Sequence, residues 1–358
     1  MIYTVIMAGG IGSRFWPQSR TARPKQFINV FGDATLIQNT LGRMQGLVPP
    51  ERCFVVTHDR YVDQTCDQLP ALPRENVLAE PISRNTAPCI AYAAMRLLAQ
   101  DPDATMIVLP ADHVIGNVRK FHAVLRVAIE KAQEPDALVT IGIHPTHPET
   151  GYGYIQFTPP ADLDLDEPHA YPVRTFAEKP DLPTAERFLD SGDFVWNSGM
   201  FIWRADTILD QMKQHLHDTY EAFQPLQTAF GTEAERTTLK QAYRRSPRIS
   251  IDYGVMEQAA NVHVVPASFG WSDVGDWRAV YDLSKKDAHG NALHNHVILH
   301  GSSRCLVQAN DRLVALVGVH DTVVVDTEDA LLICNRESTQ QVKKIVEYLQ
   351  ANHLREYL

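Results

Sequence analysis

An apolar run from Ile2 to Met7 breaks directly into Ala8-Gly9-Gly10-Ile11-Gly12-Ser13-Arg14, and Arg23-Pro24-Lys25 closes the stretch. A buried strand that empties into a glycine loop followed by cations is one way to build a phosphate cradle. Glycine allows positive φ and lets backbone N–H groups approach an anion, because no Cβ intervenes. A P-loop would need Gly-Lys-Ser/Thr at its end, where this chain has Gly12-Ser13-Arg14-Phe15. A dinucleotide fingerprint would need a third glycine where Phe15 stands. Neither pattern fits.

The rest of the amino-terminal part alternates. Strands are expected at Cys53 to Thr57, Asn76 to Ala79, Thr105 to Leu109 and Ala137 to Ile143, with helices at Leu36 to Leu47, Ala87 to Ala99 and Phe121 to Ala132. Such alternation implies βαβ units and a sheet covered on both faces. Ligands of these sheets gather at the carboxyl ends of the strands. Gly9-Gly10, Glu80-Pro81 and Pro110-Ala111-Asp112-His113 each fall at such an end.

From about 150 to 285 the pattern is mixed, with strands at Tyr154 to Phe157, Val173 to Ala177 and Val262 to Pro266 and a helix at Ala205 to His215. After about 290 come short β pieces: Val297 to Leu299, Cys305 to Val307, Val314 to Val317, Thr322 to Val325 and Ala330 to Ile333. Short strands without intervening helices suggest a small coil of β rungs. Helical spacing returns in Ser338 to Gln350.

A chain of 358 residues exceeds the size of most single cores, so two domains are expected. A formal charge of −10 argues against a nucleic-acid partner, which would require broad basic patches. An anionic ligand must then be met by local cations. Cys53, Cys66, Cys89, Cys305 and Cys334 lack C-x-x-C spacing and read as buried thiols in a reducing compartment. The histidine pairs His144/His147, His215/His217 and His294/His296 lack metalloprotease spacing and are assigned no role. The start carries no signal-peptide pattern and no long apolar run follows, so a cytoplasmic protein without a membrane partner is expected.

Asp112, just beyond its strand, reads on spacing alone either as a metal carboxylate or as a helix N-cap. Thr86 reads as a cap and Pro88 as a first-turn proline. Glu149-Thr150-Gly151-Tyr152-Gly153-Tyr154-Ile155 has a bland reading as a glycine-rich hairpin. Phe176-Ala177-Glu178-Lys179-Pro180 reads as a surface ion pair, and Trp196-Asn197-Ser198-Gly199-Met200-Phe201 as a β-bulge.

The string from Ala8 to Phe27, AGGIGSRFWPQSRTARPKQF, resembles the signature of sugar-phosphate nucleotidyltransferases. Its Phe-Trp-Pro and Pro-Lys-Gln-Phe portions are most similar to the mannose-1-phosphate guanylyltransferase branch. The resemblance implies an α/β fold of the nucleotide-diphospho-sugar transferase type. Its features are a Rossmann-like mixed, mostly parallel sheet flanked by helices and a small C-terminal β-helix-like domain. The expected boundaries are 1–285 for the catalytic domain, divided near 145/146 into nucleotide and sugar parts, and 286–358 for the β-rich domain.

It also implies the activity, in which GTP and α-D-mannose 1-phosphate give GDP-mannose and pyrophosphate with Mg²⁺ or another divalent cation, in a homodimer. Ala8, Gly9, Gly10, Gly12, Ser13, Arg14 and Lys25 would bind nucleotide, together with Glu80, Pro81, Asn85, Thr86 and Asp112. Gly153, Glu178, Lys179, Asn197 and Asp273 would bind the sugar phosphate. Asp112 and Asp273 would hold the metal, and Arg14, Lys25, Asp112, Lys179 and Asp273 would form the catalytic set. Another base or hexose is the nearest alternative. A non-catalytic, nucleotide-sugar-sensing relative is a second, although such relatives commonly lose the cations and carboxylates retained here. A further phosphomannose isomerase activity is not expected.

Overall fold

The computed structural model describes residues 1–358, which divide into two compact units. One comprises 1–9, 40–111 and 115–271, and the other 10–39, 112–114 and 272–358. The chain passes between them five times, and three of the passages fall within an element: α1 (Leu36–Gly42), β5 (Val114–Ile115) and β11 (Trp271–Ser272).

The first unit holds a nine-stranded sheet. Its strands are β1 (Ile2–Ala8), β2 (Cys53–His58), β3 (Val77–Glu80), β4 (Thr105–Pro110), β6 (Leu138–Ile143), β7 (Gly153–Phe157), β8 (Tyr171–Glu178), β9 (Phe194–Arg204) and β10 (Val262–Ala267). The order is β3-β2-β1-β4-β9-β6-β10-β8-β7, with β7 also pairing β9. Strands β3 to β4 run parallel, and β9 lies antiparallel between β4 and β6, so the sheet is mixed. The strand order reverses between β1 and β4, the position where open α/β sheets leave a crevice at the strand ends.

Helices α2 (Val62–Gln68), α3 (Thr86–Leu98), α4 (Val118–Ala132), α5 (Leu182–Ser191), α6 (Ala205–His215), α7 (His217–Phe223), α8 (Leu226–Ala229) and α9 (Glu235–Arg245) complete this unit. The alanine-rich α3 is nearly all buried and shares a core with Tyr3, Val56, Met106, Trp203, Ile208 and Tyr243. Gly142 in β6 is required by packing: a Cβ there would lie 2.3 Å from Val195 and 2.7 Å from Val264. No helix is long and apolar enough to cross a membrane.

The second unit contains α10 (Trp277–Leu283), the rungs β12 (Ala292–His294), β13 (Val297–His300), β14 (Leu306–Gln308), β15 (Val314–Val317), β16 (Thr322–Asp326) and β17 (Leu331–Asn335), and α11 (Val342–Ala351). Strands β12, β14 and β16 pair in parallel, as do β13 and β15, which gives the expected coil of rungs; β17 closes it antiparallel. Its core contains Phe15 and Trp16 of the glycine loop beside Trp277, Leu306, Val323, Val342 and Leu349. The rings of Phe15 and Trp277 lie 5.1 Å apart, and the Trp16 indole N–H donates to the Tyr357 carbonyl at 2.9 Å. The loop therefore packs as part of the carboxy-terminal unit.

Two helix expectations ran long. Leu36 to Leu47 is helical only to Gly42, after which the chain turns and Gly46 takes φ 84°. Ser338 to Gln350 begins in a tighter 3₁₀ stretch, Arg336–Gln341, before α11. Apolar spacing alone does not separate the two helix types at a terminus.

Candidate active site

In the carboxy-terminal unit the glycine loop, Asp112 and the segment after β11 meet around one ammonium. Gly12 adopts φ 73°, and a Cβ there would stand 2.4 Å from the Lys25 Cβ, so glycine alone lets the two backbones pass. Ser13 opens a 3₁₀ turn to Phe15, and the Lys25 N–H donates to the Ile11 carbonyl at 3.1 Å. The buried Lys25 Nζ donates to Asp112 Oδ2 at 2.8 Å and to the Asp273 carbonyl at 2.7 Å, and sits 5.3 Å above the Phe15 ring. Burial works to raise the Asp112 carboxyl, but Lys25 and His113 outweigh it and hold its pKa below the usual value. The Asp273 carboxylate and Arg14 Nη1 both come within 3.5–3.6 Å of the space a Gly275 Cβ would fill. Arg14 Nη1 also donates to Gln340 Oε1 at 2.9 Å.

The cap reading of Asp112 does not survive. Helix α4 starts at Val118, and its N-cap is Asn117, whose Oδ1 accepts from the Lys120 N–H at 3.1 Å. Asp112, through its carboxylate, and Asp273, through its backbone carbonyl, are thus brought to the same lysine. Carboxylate oxygens are the hard donors that suit a Mg²⁺ ion completing its shell with phosphate oxygens and water. The protein by itself supplies no cluster of three or more metal-ligating side chains.

In the sheet-bearing unit the ends of β1 and β3 lie together. Ala8 is buried at the end of β1, and a Cβ on Gly9 would lie 3.7 Å from Glu80 Oε2. Glu80 is 4 % exposed, and its Oε1 accepts from the Tyr243 hydroxyl of α9 at 2.9 Å. Burial pushes the Glu80 carboxyl up to about 7, with the Tyr243 bond opposing the shift only in part. Arg84 Nε donates to the Tyr243 carbonyl at 3.1 Å. Thr86 is not the cap of α3. Asn85, at φ 71°, caps it through Oδ1 to the Thr86 N–H at 2.9 Å, and the Thr86 hydroxyl instead accepts from the Ile251 N–H at 2.9 Å. Gly10 follows β1 in open space, with nothing within 4 Å of where a Cβ would stand, and Pro81 follows β3.

The same unit assembles Gly153, Glu178, Lys179 and Asn197. Gly153 pairs with Glu178 across β7 and β8, and a Cβ on it would stand 2.4 Å from Glu178 Oε2 and 3.3 Å from the Asn197 Cβ. Both side chains therefore converge on bare backbone. Glu178 Oε2 is buried without a hydrogen-bond partner, whereas Oε1 pairs with Lys179 Nζ at 2.8 Å. Burial disfavours the Lys179 charge, but Glu178 and other acidic neighbours more than compensate and raise its pKa. Tyr152, Trp196 and Trp271 stack edge to face alongside, with ring centroids 5.2–5.3 Å apart. The bland readings are partly true here. The Glu178–Lys179 ion pair exists, and the pairing of β6 with β9 shifts register near Asn197.

Positive φ at non-glycine residues is costly and clusters at functional sites. Asn85 (71°), Lys179 (50°) and Val274 (46°) each show it inside one of the motifs above. A β-branched residue in that region is a true outlier. Tyr243, Gln340 and Asp252, whose carboxylate accepts from Asn197, escaped sequence reasoning. Each bonds a partner distant in sequence, and none lies in a motif that singled it out.

Lys25 with the Asp112 carboxylate and the Asp273 backbone carbonyl in one unit, and Gly153, Glu178, Lys179 and Asn197 in the other, are the candidate site groups. The chain belongs to the nucleotidyl transferase family, whose pattern matches residues 3–290; the MannoseP isomerase/GMP-like beta-helix domain matches 294–349. Within that family it is 42% identical to a mannose-1-phosphate guanylyltransferase of Klebsiella pneumoniae and 41% identical to one of Escherichia coli. Each match covers 100% of this chain and 76% of the relative. A crystal structure described as a mannose-1-phosphate geranyltransferase from Thermus thermophilus superposes with a TM-score of 0.88 at 34% identity, over 98% of this chain and 99% of that one.

Proposed function

We propose that the chain transfers GMP from GTP to α-D-mannose 1-phosphate, giving GDP-mannose and pyrophosphate. The observation that carries this reading is the Lys25 ammonium held between Asp112 and Asp273 beneath the glycine loop. A nonbridging oxygen of the sugar phosphate attacks the α-phosphorus of GTP. The bond from that phosphorus to the β-bridging oxygen breaks, and its electron pair leaves with pyrophosphate. The nucleophile is already anionic, so no general base is required, and catalysis rests on alignment and charge neutralisation. Arg14 and Lys25 neutralise the triphosphate and Lys179 the incoming phosphate. Asp112 and Asp273 would hold a divalent ion, which when bound supplies Lewis-acid stabilisation of phosphate charge. A homodimer in the cytoplasm belongs to the same reading.

The test is a panel of nucleoside triphosphates against mannose, glucose and fucose 1-phosphates, followed by pyrophosphate release with Mg²⁺ and with chelator. GTP with mannose 1-phosphate should be the best pair, and chelator should abolish turnover. Preference for UTP over GTP, or undiminished activity in chelator, would refute the assignment.

Glu80 fits guanine by its chemistry. A carboxylate offers only acceptors, which match the N1–H and N2 amino donors of guanine and leave adenine unpaired. Its pKa of about 7 makes this pH-dependent: below that value the carboxyl is protonated and loses acceptor capacity. KM for GTP should rise as pH falls through 7. Stability should respond in the opposite sense. A carboxyl with a raised folded-state pKa binds its proton more tightly in the native protein, so its contribution weakens as pH climbs from the ordinary glutamate value to 7. Glu80→Gln should therefore unfold at higher urea than the parent at pH 8, by on the order of 1–3 kcal/mol, while losing preference for GTP over ITP. A lower urea midpoint with unchanged base preference would contradict both roles.

A further inference from the structure

We propose that Asp252 is a positioning residue of the hexose site, locking the Asn197 amide so that its remaining donor faces the sugar and thereby setting selectivity among hexose epimers. The inference rests on the transferase reading above.

Asp252 opens a π-helical turn, Asp252–Met256, a conformation often found at functional sites. The turn is pinned on two sides. The Ile251 N–H donates to the Thr86 hydroxyl and the Ala87 N–H to the Ile249 carbonyl, at 2.9 and 3.2 Å. Beyond it, Gly254 packs so closely on Leu216 that a Cβ would lie 2.6 Å from the leucine side chain. From this fixed backbone Asp252 Oδ1 accepts from Asn197 Nδ2 at 2.8 Å, while Asn197 Oδ1 accepts from the Gly199 N–H at 3.0 Å.

These two bonds exclude the flipped amide, which would set oxygen against carboxylate and NH₂ against N–H. One Nδ2 proton is left over. The Asn197 Cβ and the unpartnered Glu178 Oε2 both border Gly153, so the two side chains offer a ligand one remaining donor and one acceptor. A pyranose hydroxyl, which both donates and accepts, fits that pair. The arrangement carries a cost, because burial and the nearby Glu178 push the Asp252 carboxyl up to about 6, with Lys179 opposing them. An ionisable group kept in such surroundings is a mark of function.

Asp252→Ala, assayed in the full-length enzyme, should raise KM for mannose 1-phosphate at least about 10-fold and lower the mannose-over-glucose preference by a similar factor, as expected for loss of a hydrogen bond to a charged group. KM for GTP should stay within about 2-fold, since Glu80 and the loop cations are untouched. Asp252→Asn keeps an acceptor for the Asn197 amide and should recover most of the sugar affinity. If Asp252→Ala fails to fold, Asp252→Ser, too short to reach the amide, carries the same expectation. A fall in kcat and thermal stability with an unchanged sugar ratio would mean that Asp252 is merely structural, and the proposal would be wrong. Should the parent enzyme not use mannose 1-phosphate at all, the hexose assignment fails separately, and the variant's ratio on the preferred sugar phosphate still decides the role of Asp252.

Discussion

Lys25→Ala is expected to lower kcat/KM for GTP by about 10²–10³-fold, the usual loss when one preorganised charge is withdrawn from a developing anion. The ammonium touches both Asp112 and the Asp273 backbone, so its removal loses one charge and frees two supports. The partly exposed Asp112 can be rehydrated, which limits the stability cost and keeps the variant folded. Lys25→Arg should rescue little, because a planar fork does not fit a site shaped for a point charge beside the Gly12 backbone. Asp273→Ala should show a comparable loss of turnover. The measurements are steady-state kinetics beside circular dichroism and a urea midpoint. Near-parental turnover in a folded Lys25→Ala enzyme would remove this residue from the mechanism.

Phe15→Ala should cost about 3–5 kcal/mol of stability, the range for deleting a fully buried aromatic ring. Phe15 is 1 % exposed and packs against Trp277, and its ring also lies under Lys25 Nζ. The cavity would open beneath Gly12 to Arg14, so turnover should fall more than stability does at temperatures where the variant remains folded. Urea unfolding and kcat measured on the same preparation separate the two effects. Phe15→Leu, which refills most of the volume, should recover stability first. A stability loss below about 1 kcal/mol, well under the range for a buried ring, would mean that the loop is not anchored in the core of the β rungs.

The sequence carried the local information well. The run into Gly9 and Gly10, the strands expected to end at Ala79 and Leu109 and found to end one residue later, and helix Ala205–His215 all depend on period, turn chemistry and apolar length, which neighbouring residues express. The roles of Asn85 and Thr86 were harder to read. Both are good cap residues, and only the Ile251 N–H, arriving from another part of the chain, decides which of them caps. Asp112 shows the same ambiguity, resolved when Asn117 takes the cap of α4.

What the sequence determined by itself was the order of elements, the glycine loop and the chemical types available to bind phosphate and hexose. What tertiary structure alone decided was partnership: Lys25 with Asp112 and Asp273, Tyr243 with Glu80, Asp252 with Asn197, and Phe15 with Trp277. The reason is physical. Propensity and periodicity act over a few residues, whereas burial, charge pairing and hydrogen-bond satisfaction are settled by whichever distant groups the packed sheet and rungs bring within about 3 Å.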